Sequence, residues 1–183
     1  MAVVVGTYIR RGAQGNGRAK DAVKYLQHRP ERTGERITRP LFGPDGVWER
    51  LHGYQMIDEA PAGTHFYRMS INPDPAREDH RRDLDLREVT AQTMRELRQI
   101  VSQPVLYVAA VHTEHADARR HVSLLASVPR RLNAPELKAL TAAATQACRA
   151  QRLDLDRALT REVQARERAW EVEREREEDR WGW

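Results

Sequence analysis

A single cysteine, Cys148, stands among 183 residues. One thiol excludes an internal disulfide and any zinc cage built on cysteines. Long apolar runs are missing as well: none approaches the ~18 residues of a membrane span, so no membrane partner is expected. The opening MAVVVGTYIRRG sets its apolar part ahead of its basic part, the reverse of a secretory signal, and the chain reads as cytoplasmic. No unit of ~20–50 residues repeats. Hydrophobic residues make up 40% and charged ones 32%, which predicts one domain with a modest core beneath a heavily charged surface.

Charge is what the chain has in quantity. Its formal net charge is +4 with a sequence pI near 9.6. Residues 1 to 40 hold nine Lys or Arg against three acids, a local bias toward polyanionic partners. Such a run is more often a plain solvated face, so it favours nucleic acid only in company with other signals.

Periodicity and turn residues lay out the elements. AVVVGTYIR, residues 2 to 10, reads as a β-branched strand, and RRGAQGNGRAK after it as a flexible glycine-rich loop. Asp21 to Gln27 reads as a short helix closed by Pro30. Gly43-Pro44-Asp45-Gly46 marks a hairpin turn, and Leu51 to Pro61 an irregular or helical connector. Thr64 to Asn72 alternates as a strand, with Phe66, Arg68 and Ser70 on one face. Asp83 to Ser102 has helical rhythm, and Asn133-Ala134-Pro135-Glu136 is a helix start with Asn133 as its cap. Beyond Arg152 the helix turns very polar, with a thin stripe at Leu155, Leu159, Val163 and Trp170.

The chain is organised around VLYVAAVHTEHADARRHVSLLASV, residues 105 to 128. Val105 to Thr113 is nearly all apolar, as in a strand buried on both faces. His121 to Val128 alternates, so His121, Ser123, Leu125 and Ser127 share one face. Counting by two also puts His112 with Val108 and Ala110. Paired antiparallel, the strands bring His112 and His121 to the same side at the hairpin end, half of a divalent metal site. The order of elements predicts an α+β fold, an antiparallel sheet of about five strands with helices mainly on one face. The other face is then open to a ligand. Residues 1–132 form this domain and 133–183 a C-terminal helical extension.

His112, a polar loop, then His121-Val122-Ser123 ahead of an apolar strand resemble the third motif of plasmid relaxases. These mobilisation nucleases belong to the HUH endonuclease superfamily, named for a histidine-hydrophobic-histidine pair. Here Ser123 stands where the pair's second histidine would be. VKYLQHR, residues 23 to 29, resembles the surroundings of the nucleophilic tyrosine in relaxases of the IncP-plasmid type. Ser70, in FYRMSIN, is similar in place to the serine of the second relaxase motif. The resemblance covers about residues 1 to 130.

It implies an HUH/relaxase-like fold and a protein of plasmid mobilisation or conjugation. Such a protein binds single-stranded DNA at a transfer origin, beside other relaxosome proteins, and nicks it by tyrosine transesterification. Tyr25 would be the nucleophile. A divalent ion, Mg²⁺ or Mn²⁺, would sit on His112, His121 and Glu114, with His115 the other candidate third ligand. Lys24, Arg29, Ser70, Arg119 and Arg120 would meet the DNA backbone, with Arg130 and Arg131 at the far end of the second strand. Plainer readings stay open. Tyr25 can be an ordinary helix residue, with Tyr8 as a competing nucleophile, and the histidines metal-free strand-end residues. The whole can be a catalytically silent DNA-binding relative that has lost its metal site at Ser123, or a protein whose charged tail pairs with itself or a partner.

Overall fold

A computed structural model of the chain describes residues 2–28, 37–113 and 120–182. In chain order the elements are β1 (Val3–Arg10), α1 (Ala13–His28), β2 (Leu41–Gly43), β3 (Gly46–Trp48), α2 (Arg50–Asp58) and β4 (His65–Asn72). They continue with α3 (Leu86–Val101), β5 (Tyr107–Thr113), β6 (Arg120–Val128) and α4 (Ala134–Trp181). The six strands make one open sheet in the order β1-β4-β6-β5-β2-β3, antiparallel at every pairing. The class is α+β, as the sequence predicts, with the hairpin at Gly43–Gly46 supplying a sixth strand.

Helices cover both faces of this sheet, against the expectation of a mainly one-sided arrangement. On one face α1 and α2 bury Val23, Leu26, Met56 and Ile57 against Ile9, Phe66, Val108, Ala110 and Leu125. On the other, α3 and α4 bury Leu97, Leu140 and Ala144 against Tyr67, Met69, Ile71, Leu124 and Val128. The cause is local. Phe66-Tyr67 and Leu124-Leu125 are adjacent apolar pairs in central strands, and adjacent strand residues point to opposite faces, so each face needs its own cover.

The glycine-rich stretch after β1 is helix rather than loop, since α1 begins at Ala13. Gly15 explains this. A β-carbon there would lie 1.9 Å from the Arg10 carbonyl oxygen, so only glycine lets the helix double back this tightly on the strand. Ala19, Ala22, Val23 and Leu26 then recur on one stripe that faces the sheet.

α4 starts where the sequence signals it. The Asn133 side-chain oxygen accepts from the Glu136 amide at 2.9 Å, and the Glu136 carboxylate accepts from the Asn133 amide at 2.8 Å. Together they form a reciprocal cap. Its first five turns or so reach Arg152 and belong to the core through Leu140, Ala144, Ala147 and Cys148. From Arg157 to Glu177 every side chain is exposed. Among the described residues no helix is long and apolar enough to cross a membrane.

Candidate active-site cleft

Strand parity assembles the site. On the face beneath α1, β4 presents Arg68 and Ser70, β6 presents His121 and Ser123, and β1 presents Thr7. Ser70 stands in register with Ser123, Thr7 with Arg68, and Ser123 with Ala110 of β5. α1 crosses above, with Ala22 and Leu26 turned down. Tyr25 lies beside them at the margin of the buried stripe, 46% exposed. Thr7, Tyr25, Arg68, Ser70, His121 and Ser123 line one cleft of about 380 Å³.

Three residues singled out from sequence motifs far apart in the chain, Tyr25, Ser70 and His121, thus share one cavity with Ser123. Arg68 is the residue the motifs did not point to. The signal for it was the alternation of THFYRMSIN: once Ser70 selects a face, Arg68 shares it. The Ser70 hydroxyl donates to the Asn72 side chain at 3.3 Å.

His112 and His121 are direct partners across β5 and β6. Their rings stack, with centroids 5.1 Å apart and planes within 10°. His121 lines the cleft, whereas His112 is 1% exposed and does not. Imidazole lone pairs lie in the ring plane, so stacked rings must rotate before both can meet one ion. Among the described residues no cluster of three or more His, Cys, Asp or Glu side chains is placed to hold a metal. Two imidazoles fall short of the three protein ligands usual in such sites, and the Ser123 hydroxyl is a neutral, weak donor. The described donors do not complete a metal site. Glu114 and His115, the expected third ligands, lie outside the described residues, as do Arg29 and Arg119.

No protein-family model, curated protein or solved structure matches this chain. The cleft is therefore judged on its own chemistry. It combines a phenol, a guanidinium and an imidazole around a cavity floored by two small hydroxyl side chains. That set suits a phosphodiester: a cation to hold it, a nucleophile to attack it and a base to take a proton.

The other expected contacts fall elsewhere. Lys24 is exposed and does not line the cleft. Arg120 has the parity of Val122, so it points to the opposite face. There its guanidinium meets Asp79 at 3.3 Å and the Leu84 carbonyl at 3.2 Å, which commits it to holding β6 against the 73–85 segment. Arg130 pairs with Glu136 at 2.7 Å, and Arg131 stacks over Tyr8 at 5.3 Å. Tyr8 shares the parity of Val4, whose side chain joins the α3/α4 core, so it faces away from His121.

Behind Arg120, the buried Arg152 binds the Asp83 carboxylate and the Glu78 carbonyl, the latter at 3.1 Å. The hydrogen bond from Arg152 holds the Asp83 carboxyl below its ordinary range.

Proposed function

We propose that this protein is a relaxase-like, HUH-type nuclease domain that binds single-stranded DNA at a plasmid transfer origin and nicks it through Tyr25. The observation that carries the reading is the shared cleft of Tyr25, Ser70, Arg68 and His121. Arg68 would hold the scissile phosphate against the cleft wall. The Tyr25 oxygen attacks phosphorus and passes its proton to His121. The bond to the 3′ oxygen breaks, that oxygen takes up a proton, and a 5′-phosphotyrosine ester conserves the bond energy for religation. A Mn²⁺ titration addresses the divalent ion that the resemblance implies.

The second reading, a silent DNA-binding relative, is favoured by one observation: Ser123 occupies the position next to His121 on the cleft face, where a further imidazole would sit. Because the recognition sequence is unspecified, the test uses a random single-stranded oligonucleotide library. Wild-type protein and Tyr25→Phe are incubated with it, with and without Mn²⁺, and resolved on a denaturing gel. A covalent adduct from wild type alone supports the nuclease. Binding without adduct supports the silent relative, and no binding removes both.

A further inference from the structure

We infer that Arg120, anchored on Asp79, is a positioning residue for His121, a role that rests on reading His121 as the acceptor of the Tyr25 proton. Strand pairing shows the need for one. The β4–β6 ladder runs from the His65–Val128 pair to the Ile71–Val122 pair and stops there. Pro73 follows Asn72 and has no amide hydrogen to give a ladder, so β4 leaves the sheet at that point. Among the described residues, Arg120 and His121 therefore pair with β5 alone, opposite Thr113 and His112. His121 lies one residue past the support of β4.

The Arg120 side chain restores a hold on that flank. Alternation sends it to the face away from the cleft, toward the segment that continues β4 after Pro73. One guanidinium nitrogen spans both Asp79 carboxylate oxygens, at 3.3 and 3.4 Å, and another donates to the Leu84 carbonyl at 3.2 Å. Asp79 is itself fixed: its carboxylate accepts from the Leu84 amide at 3.1 Å, and its own amide donates to the Asp74 carbonyl at 3.0 Å. The Arg120 and Asp79 side chains are 20% and 4% exposed, so solvent ions screen the tie only weakly. A planar guanidinium bonded to two separate groups fixes direction as well as distance. The backbone it fixes is that of the residue next to His121. The imidazole, stacked on the buried His112 ring, is thereby held where it lines the cleft. Proton transfer requires hydrogen-bond reach, and a misplacement of about 1 Å costs on the order of a hundredfold in rate.

The experiment separates placement from folding. Adduct formation is followed with the random single-stranded library in excess, well below the thermal transition of each variant, and binding is read by anisotropy. Arg120→Met keeps the aliphatic stem and loses the tie. Its adduct rate per folded molecule should fall by about tenfold or more, while DNA affinity stays within about twofold. Arg120→Lys should recover part of that rate, since one ammonium cannot span both Asp79 and the Leu84 carbonyl. Asp79→Asn keeps an acceptor for the Leu84 amide and stands in should Arg120→Met fail to fold; it should lose rate in the same direction. Histidine ring resonances, assigned through His121→Gln, give a readout independent of chemistry. Those of His121 and His112 should move in Arg120→Met and Asp79→Asn, while those of His28 and His52 stay. An unchanged adduct rate in the folded variants overturns the inference, and so do His121 resonances that stay in place. If wild type forms no adduct, it is the nuclease reading that fails, and the ring resonances alone decide whether Arg120 places His121.

Discussion

Ser70 and Ser123 face each other across the β4–β6 pairing, on the wall of the cleft that Tyr25 overhangs. Ala110 is the neighbour of Ser123 on the β5 side. Small residues on both flanks leave room for a larger side chain at 123. Ser123→His should therefore fold and place a third imidazole on the His121 face. Mn²⁺ affinity should rise by more than about tenfold, read by titration calorimetry. Adduct formation should rise with it if the metal acts on charge that develops in the transition state. Equal Mn²⁺ affinity in wild type and variant would show that position 123 is not where a ligand is missing.

Arg68 and Arg120 should separate cleanly. Arg68→Ala removes a cation from the cleft, so affinity for single-stranded DNA should fall and its salt slope should drop by about one. Arg120→Ala should leave that slope unchanged and lower the unfolding midpoint, because it takes the cation from Asp79, whose side chain is 4% exposed and is left with the Leu84 amide as donor. Fluorescence anisotropy over a salt series decides it, and identical slopes for Arg68→Ala and wild type would take Arg68 out of the interface.

Two glycines of α1 should respond to alanine with opposite signs. Gly17 has open space where a β-carbon would go. Gly17→Ala should stabilise by up to ~1 kcal/mol, the usual gain within a helix. Gly15→Ala should instead destabilise, because its methyl would collide with the Arg10 backbone. Thermal or urea unfolding of the two variants measures this. A stabilised Gly15→Ala protein would mean that α1 does not seat on β1 this closely.

The Asp83–Arg152 pair should shape the acid limb of stability. Its folded carboxyl titrates below the ordinary 3.8, mainly through the Arg152 hydrogen bond. A depressed folded value contributes stability above the unfolded value and loses it as pH falls through the folded one. Asp83→Asn should thus flatten the loss of stability below about pH 4. Arg152→Met should cost about 2 kcal/mol at neutral pH, as the buried Glu78 carbonyl loses its donor. Urea midpoints against pH read both. An acid limb unchanged in Asp83→Asn would assign it to other carboxylates.

Cys148 should be inert while the protein is folded. It is buried, and desolvation with the nearby Glu78 and Asp79 charges pushes its thiol up to about 12. Since the thiolate is the reactive form, labelling by a disulfide reagent at pH 8 should follow the unfolding rate rather than reagent concentration. Rapid stoichiometric labelling of native protein would place the thiol at the surface.

Local patterns made the elements and much of the cleft legible. Alternation in residues 121 to 128 placed His121 and Ser123 on one face, and the apolar run before them placed His112 beside Val108 and Ala110, as the β5–β6 register has it. The cap at Asn133 was readable because its hydrogen bonds span three residues. Long-range relations were not legible. Arg68 enters the cleft through a strand order that sets β4 between β1 and β6, and no nearby residue encodes that order. Gly15 resembled a loop residue because what requires it is the approach of Arg10, a contact that composition does not express. The double helical cover was half visible: the second strand's alternation suggested one wet face, while Leu124-Leu125 already needed two dry ones.

The first strand is tied down from far along the chain. Among the described residues β1 pairs only with β4, and the Thr145 hydroxyl donates to the Ala2 carbonyl at 3.2 Å, across 143 positions. The head of β1 thus depends on a helix that lies far along the chain. At synthesis rates of about 5–20 residues per second, roughly 3–12 seconds separate β1 from its strand partner β4, and through them it carries an unpaired β-branched edge. Its own sequence supplies what protection there is in that interval: Arg10 and Arg11 at its end, charges of the kind that discourage strand-to-strand aggregation.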